Sequence, residues 1–145
     1  MFKHILLPTD GSKLSEKAVR QSVRMAKAFG ARITALHVMP KFGSYLYPTD
    51  LLDALPQGYA AHAARRADEY LSFAQKVARA AGVECDGVKL NADQPYKEIV
   101  KFAQKKGCDL ILMASHGRKG LEGFLLGSET QKVLTHSTVP VLVYR

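Results

Sequence analysis

The sequence has little of what builds a cross-linked or membrane-spanning protein. Its 145 residues include two cysteines, Cys85 and Cys108. Two are too few for a disulfide scaffold, and no CxxC spacing is present. They read as reduced thiols, which points to the cytoplasm. No apolar run approaches the roughly 18 residues that a bilayer span needs. Ile5-Leu6-Leu7 stops at Pro8, too short for the apolar stretch of a signal peptide. No lipidation motif stands at either end. Acidic residues are scarce as well: 13 Asp and Glu face 21 Lys and Arg, a net charge of +8. Such a balance attracts phosphate, nucleic acid or acidic lipid without choosing among them.

Several catalytic signatures are missing too. There is no G-x-x-x-x-G-K-[ST] loop, no G-x-G-x-x-G fingerprint and no G-x-S-x-G elbow. His4, His37, His62, His116 and His136 are scattered without metal-ligand spacing. Spacing assigns His116 no partner that would orient it as a general base. No catalytic residue and no metal ligand is therefore expected.

What is present is ordinary for a folded chain: 47% hydrophobic and 23% charged residues. No repeat or linker interrupts it, so residues 1–145 are expected to form a single domain. Short apolar runs alternate with helical periods. Ile5-Leu6-Leu7 suits a strand buried on both faces. Ser12 then caps a helix whose Ala18, Val19, Ser22, Val23, Met25, Ala26 and Phe29 share one face, closed by Gly30. Ile33 to Met39 is the second strand. The stretch from Pro40 to Gly58 is long for a connection. A helix over 59–81 carries a stripe of Ala63, Ala67, Tyr70, Leu71, Ala74, Val77 and Ala78. Val83 to Leu90, broken by Gly87, predicts an edge strand. Pro95 opens a helix that buries Ile99, Val100 and Ala103. Leu110 to Met113 is the most apolar strand and is expected at the centre. Ser128-x-x-Gln131 predicts a capping box, and Val139 to Tyr144 a last strand.

This βαβ alternation predicts an α/β fold. We expect a doubly wound, Rossmann-like, five-stranded parallel sheet, order 3-2-1-4-5, with helices on both faces. Ligands of such sheets sit beyond the carboxyl ends of the strands, at the switch point. Residues 8–12 and 114–128 should meet there. The second segment reads Ala114-Ser115-His116-Gly117-Arg118-Lys119-Gly120-Leu121-Glu122-Gly123-Phe124-Leu125-Leu126-Gly127-Ser128. Glycines let backbone N–H groups approach an anion, and a helix N-terminus adds free donors. On these grounds alone, a phosphate cradle and a plain glycine-rich connection capped by Ser128 are equally well supported.

The segment resembles the universal stress protein family, whose nucleotide-binding members carry G-x-x-G, nine residues, then G-[ST]. Gly117, nine residues, then Gly127-Ser128 match, while Ala114 replaces the first glycine. Residues 5–12, Leu36-His37-Val38 and residues 139–143 resemble further segments of the family, in order along the whole chain. The resemblance implies ATP binding, with Mg²⁺ accompanying the phosphates. Asp10, flanked by Pro8 and Thr9, would contact the adenosine. Val38 would line the adenine slot, and Met113 and Ala114 would lie against the ribose. Gly117, Gly127, Ser128, Glu129 and Thr130 would surround the phosphates, mainly through backbone N–H groups. His116 completes the expected ATP site. A positive φ at Ala114 would cost on the order of 1 kcal/mol, and Glu129 would repel phosphates unless it points away or shares a cation. The resemblance also agrees with a homodimer, joined here through the strand Val139 to Tyr144, whose edge pairing removes unsatisfied backbone groups.

The expected function is nucleotide-dependent regulation of a stress response, with at most slow ATP hydrolysis. Three alternatives stand beside it: a dimeric interaction module without nucleotide, an ATP-using enzyme, and nucleic-acid binding through the +8 charge. For other residues the expectations are plain. Arg118 and Lys119 read as a solvated loop tip. Arg20, Arg24, Lys27 and Arg32 read as a solvated face, and His37 and His136 as structural. Tyr45 and Tyr47 should pack outside the sheet or on a partner.

Overall fold

The computed structural model describes residues 1–41, 56–118 and 125–145. Strands β1 (His4–Pro8), β2 (Arg32–Met39), β3 (Cys85–Asn91), β4 (Leu110–Ala114) and β5 (Val141–Tyr144) alternate with four helices. These are α1 (Lys13–Phe29), α2 (Pro56–Ala80), α3 (Pro95–Lys105) and α4 (Ser128–His136). The strands form one parallel sheet in the order β3-β2-β1-β4-β5. The expected fold class and strand order are those of the structure.

The apolar runs become strands because both sheet faces are covered. Ile5, Leu7, Ile33, Leu110 and Leu112 face a core with α1 and α2, which contribute Val19, Val23 and Leu71. Leu6, Leu36, Ile111 and Met113 face the other core, closed by Ile99 of α3 and Val133 of α4. Ile5, Leu6 and Leu7 are completely buried, which accounts for the unbroken apolar stretch.

Four sequence expectations are corrected. The central strand is β1, while the more apolar β4 lies between β1 and β5. Two buried faces make any interior strand continuously apolar, so apolarity does not separate centre from next-to-centre. Helix α2 begins at Pro56 rather than Tyr59, shortening the connection from Pro40. Proline is tolerated in a first turn, where its missing N–H has no partner to lose. Val100 is half-buried rather than buried. The last strand begins at Val141, because the Ser137 hydroxyl donates to Val139 O at 2.7 Å and accepts from Val139 N at 3.1 Å. That local ring occupies Val139, and pairing to β4 starts with Pro140 O, 2.9 Å from Ile111 N. Strand β3 is at an edge, as its glycine suggested. Tyr45, Tyr47 and Lys119 lie outside the described residues.

The order reverses between β1 and β4: the chain winds to β2 and β3 on one side and to β5 on the other. Their carboxyl ends therefore diverge into connections on opposite faces and leave a crevice.

Candidate functional site

A crevice of about 310 Å³ opens at that switch point, at the small end of small-molecule sites. Its walls include Pro8, Thr9, Asp10, Val38, Met113, Ala114, His116, Gly117, Gly127, Ser128, Glu129 and Thr130. The fold thus lines one crevice with every residue expected in the ATP site. It adds Leu36, His37, Met39, Pro40, Ala63, Arg66, Tyr70, Pro95, Ile99 and Arg118.

The β1 end is built by its own polar side chains. Ser12 is the N-cap of α1 and accepts from Ser15 N at 3.2 Å. Ser15 Oγ lies 2.7 Å from Thr9 Oγ1, so the Thr9 hydroxyl braces the turn. Asp10 Oδ1 accepts from Ser12 N at 3.0 Å and Oδ2 from Arg118 N at 3.0 Å. Gly11 has φ +72°, a backbone open to glycine, and a Cβ there would enter the Tyr70 ring. Gly117 is required for a different reason. Its φ is not positive, but a Cβ would overlap Asp10 Oδ2. The motif glycine makes room for a carboxylate of the same chain.

The β4 end supplies the backbone donors. Gly127, with φ −61° and ψ 150°, is the N-cap of α4, and no side chain caps that helix. The capping box expected from Ser128 and Gln131 does not form. Ser128 is already the first helical residue, and Gln131 Nε2 donates to Leu126 O at 3.1 Å. The first-turn N–H groups, at Ser128, Glu129 and Thr130, border the crevice with the positive end of the helix dipole. Thr130 Oγ1 donates to Ala114 O at 3.0 Å, and Gly127 N to Ser115 O at 2.7 Å, fixing α4 against β4. Ser115 Oγ sits 3.1 Å from His116 Nδ1.

Two doubts raised by the sequence resolve. Ala114 lies in β4 without a positive φ, so the side chain adds no backbone strain. Glu129 turns toward α3: Oε2 accepts from Tyr96 N at 2.9 Å, and Oε1 pairs with Lys132 Nζ at 3.3 Å. It serves as the cap that the α3 N-cap residue Gln94 does not provide.

The opposite wall was not foreseen. Arg118 is not a free loop tip. Its Nε donates to Asp10 O at 3.1 Å, and its guanidinium lies 4.9 Å from the Tyr70 ring centroid. His37 Nδ1 donates to Thr9 O at 2.7 Å, and its ring meets Tyr70 edge-on at 5.1 Å. Burial holds the His37 imidazole below its ordinary pKa and raises the Tyr70 phenol. Tyr70 and Ala63 stood on the apolar stripe of α2, where spacing reads as core. Only the helix's contact with the post-β1 turn turns that stripe into a wall.

The sequence motif, the parallel order and this crevice agree with one family. The model of the universal stress protein family matches residues 1–145. The chain belongs to that family. It is 32% identical to the universal stress protein MJ0531 of Methanocaldococcus jannaschii, across all of this chain and 83% of that one. The solved structure of MJ0577, a universal stress protein of the same organism, matches with a TM-score of 0.79 at 30% identity. That match covers 99% of this chain and 96% of the other. A universal stress protein solved in complex with cAMP matches with a TM-score of 0.73 at 24% identity, over 99% and 97% of the two chains. That last likeness concerns the fold, and its nucleotide is that protein's ligand.

Among the described residues, no helix is long and apolar enough to cross a membrane, and no group of three His, Cys, Asp or Glu side chains could hold a metal ion.

Proposed function

We propose that this universal stress protein binds an adenine nucleotide, ATP in the first place, in the crevice between β1 and β4. The observation that carries the reading is the uncapped first turn of α4 facing the end of β1 across one crevice. Backbone N–H groups at a helix N-terminus suit a phosphate. The apolar side chains of Val38, Ile99 and Met113 suit the flat face of a base. Asp10 suits sugar hydroxyls: a carboxylate has about four lone-pair directions, and two backbone donors leave others for a ligand. Both carboxylates at the crevice, Asp10 and Glu129, already accept backbone N–H groups. A Mg²⁺ ion would therefore be held chiefly by the phosphates and water.

In this reading residues 1–145 are one stress-protein domain acting in the cytoplasm. Its output is binding, and turnover is slow at most. The edge strand β5 pairs with β4 on one side, and its half-buried Val141, Leu142, Val143 and Tyr144 suit pairing with a second copy. Titration calorimetry with ATP, ADP and AMP in the presence of Mg²⁺ tests the reading. Saturable binding below millimolar ATP supports it, and no heat at millimolar ATP overturns it. Sedimentation of the wild type and of Val143→Lys tests the dimer separately.

A second reading, a dimeric module without nucleotide, draws on the same Asp10. Its two oxygens already accept from Ser12 N and Arg118 N, so the turn is held without a ligand. The same calorimetry separates the two.

A further inference from the structure

We infer that Arg118 and Tyr70 form a strap that positions the Asp10 carboxylate, and that this strap sets how strongly the crevice distinguishes sugars by their hydroxyls. The inference rests on the nucleotide-binding reading above and adds a wall that the glycine motif does not contain.

Three elements converge on the turn after β1. The segment after β4 brings Arg118, whose backbone N–H reaches Asp10 Oδ2 and whose Nε reaches Asp10 O. Helix α2 brings Tyr70, which lies against the bare Cα of Gly11 and beneath the Arg118 guanidinium. Strand β2 brings His37, which donates to Thr9 O and meets the edge of Tyr70. Each oxygen of the carboxylate thus receives one main-chain donor, and Gly117 packs directly on Oδ2.

An aspartate in an open turn samples several rotamers, and fixing one on ligand binding costs entropy. Here that ordering precedes the ligand. The remaining lone pairs suit two neighbouring hydroxyl donors, the pattern of a ribose diol. The Arg118 side chain is the removable part. Its backbone N–H persists in any variant, but only the guanidinium anchors the segment to Asp10 O and to the tyrosine. Lysine cannot replace it, because an ammonium lacks both the Nε–H at that position and a planar face to stack. Tyr70 and Arg118 are positioning residues acting through Asp10.

The test measures ATP and 2′-deoxyATP binding to wild type, Arg118→Ala, Tyr70→Leu and Tyr70→Phe, with melting temperatures recorded for each. Wild type should prefer ATP over 2′-deoxyATP roughly tenfold, the size of one hydrogen bond to a charged acceptor. In Arg118→Ala and Tyr70→Leu the preference should shrink to about twofold, chiefly through weaker ATP binding. Tyr70→Phe, which keeps the ring, should recover most of it relative to leucine. A merely structural role would weaken both nucleotides equally and leave the ratio unchanged, which overturns the strap while nucleotide binding stands. A wild type that binds both nucleotides equally also overturns it. A wild type that binds neither removes the functional reading itself, and the strap with it. Should Tyr70→Leu fail to fold, Arg118→Ala decides, because Arg118 is exposed.

Discussion

The two ends of the sheet are made of the same strands and finished in opposite ways. At the amino ends, polar groups are paired within the chain. His4, only 5% exposed, has Nε2 at 2.8 Å from Thr34 Oγ1 and Nδ1 at 3.6 Å from the Cys108 thiol. Asp109 accepts from Lys3 N at 2.8 Å and from His4 N at 3.0 Å, closing the start of β1. At the carboxyl ends, α4 begins without a side-chain cap, and the turn carries the Asp10 carboxylate at the wall of a crevice. A buried polar group left without a partner costs stability, so an end that binds nothing is closed by its own chain. On the nucleotide-binding reading, the carboxyl end keeps donors available, and its order comes from Tyr70, Arg118 and Glu129. Cys108 shows the consequence for reactivity. Burial raises its thiol to about 11, so it stays protonated and inert although a histidine stands beside it.

The contrast breaks most visibly at Gly117. A side chain there must displace Asp10 Oδ2. We expect Gly117→Val to weaken ATP at least a hundredfold, about 2.7 kcal/mol, while the melting temperature changes little, because the residue lies in a connection outside the cores. Calorimetry beside thermal unfolding checks both halves. His4→Ala should do the reverse. It leaves the buried Thr34 hydroxyl without its imidazole partner and opens a cavity, costing about 2 kcal/mol of stability. ATP affinity should stay within about twofold. Equal effects of the two variants on binding would show that the ends are not separable.

That separation was half legible in the sequence. Apolar runs and helical periods pointed to a parallel sheet covered on both faces, because βαβ alternation with right-handed crossovers builds one, although more than one strand order obeys those rules. The glycine spacing located one wall of the crevice, since Gly117, Gly127 and Ser128 are close in the chain. The other wall was hidden for a physical reason. Tyr70 sits 59 residues after Gly11, and nothing local marks a core tyrosine as the floor beneath Arg118. Which of the outcomes open to Glu129 holds was hidden in the same way. Its position beside the expected phosphates suggested repulsion, and only the tertiary approach of α3 makes it a helix cap. The capping box failed because Gly127, with no side chain to contribute, took the N-cap position from Ser128.

Acid should loosen both ends through their histidines. Burial lowers the His4 and His37 imidazoles below the ordinary value, with a further push at His4 from Arg32. The neutral form is favoured in the folded state, while the unfolded chain takes up protons near pH 6.5. Their contribution is therefore complete above about pH 6.5 and is lost as pH falls toward the lowered folded values. Urea midpoints should be level from pH 8 to 7 and should decline toward pH 5. His4→Gln should flatten part of that decline, and the residual slope reports His37. A midpoint that rises on acidification would contradict the assignment.

The smallest expected effect sharpens the independence of the two ends. Thr130 is buried, and its hydroxyl donates to Ala114 O, tying the first turn of α4 to the end of β4. Thr130→Val keeps the shape and removes the donor, leaving that carbonyl one partner short. About 1 kcal/mol of stability should be lost, a drop of roughly 3 °C in melting temperature for a chain of this size. Combined with His4→Ala, the two losses should add within about 0.5 kcal/mol, since the residues share no partner and lie at opposite ends of the strands. A coupling larger than that would mean that β1 and β4 transmit strain from one end to the other, and the closed end would then tune the crevice.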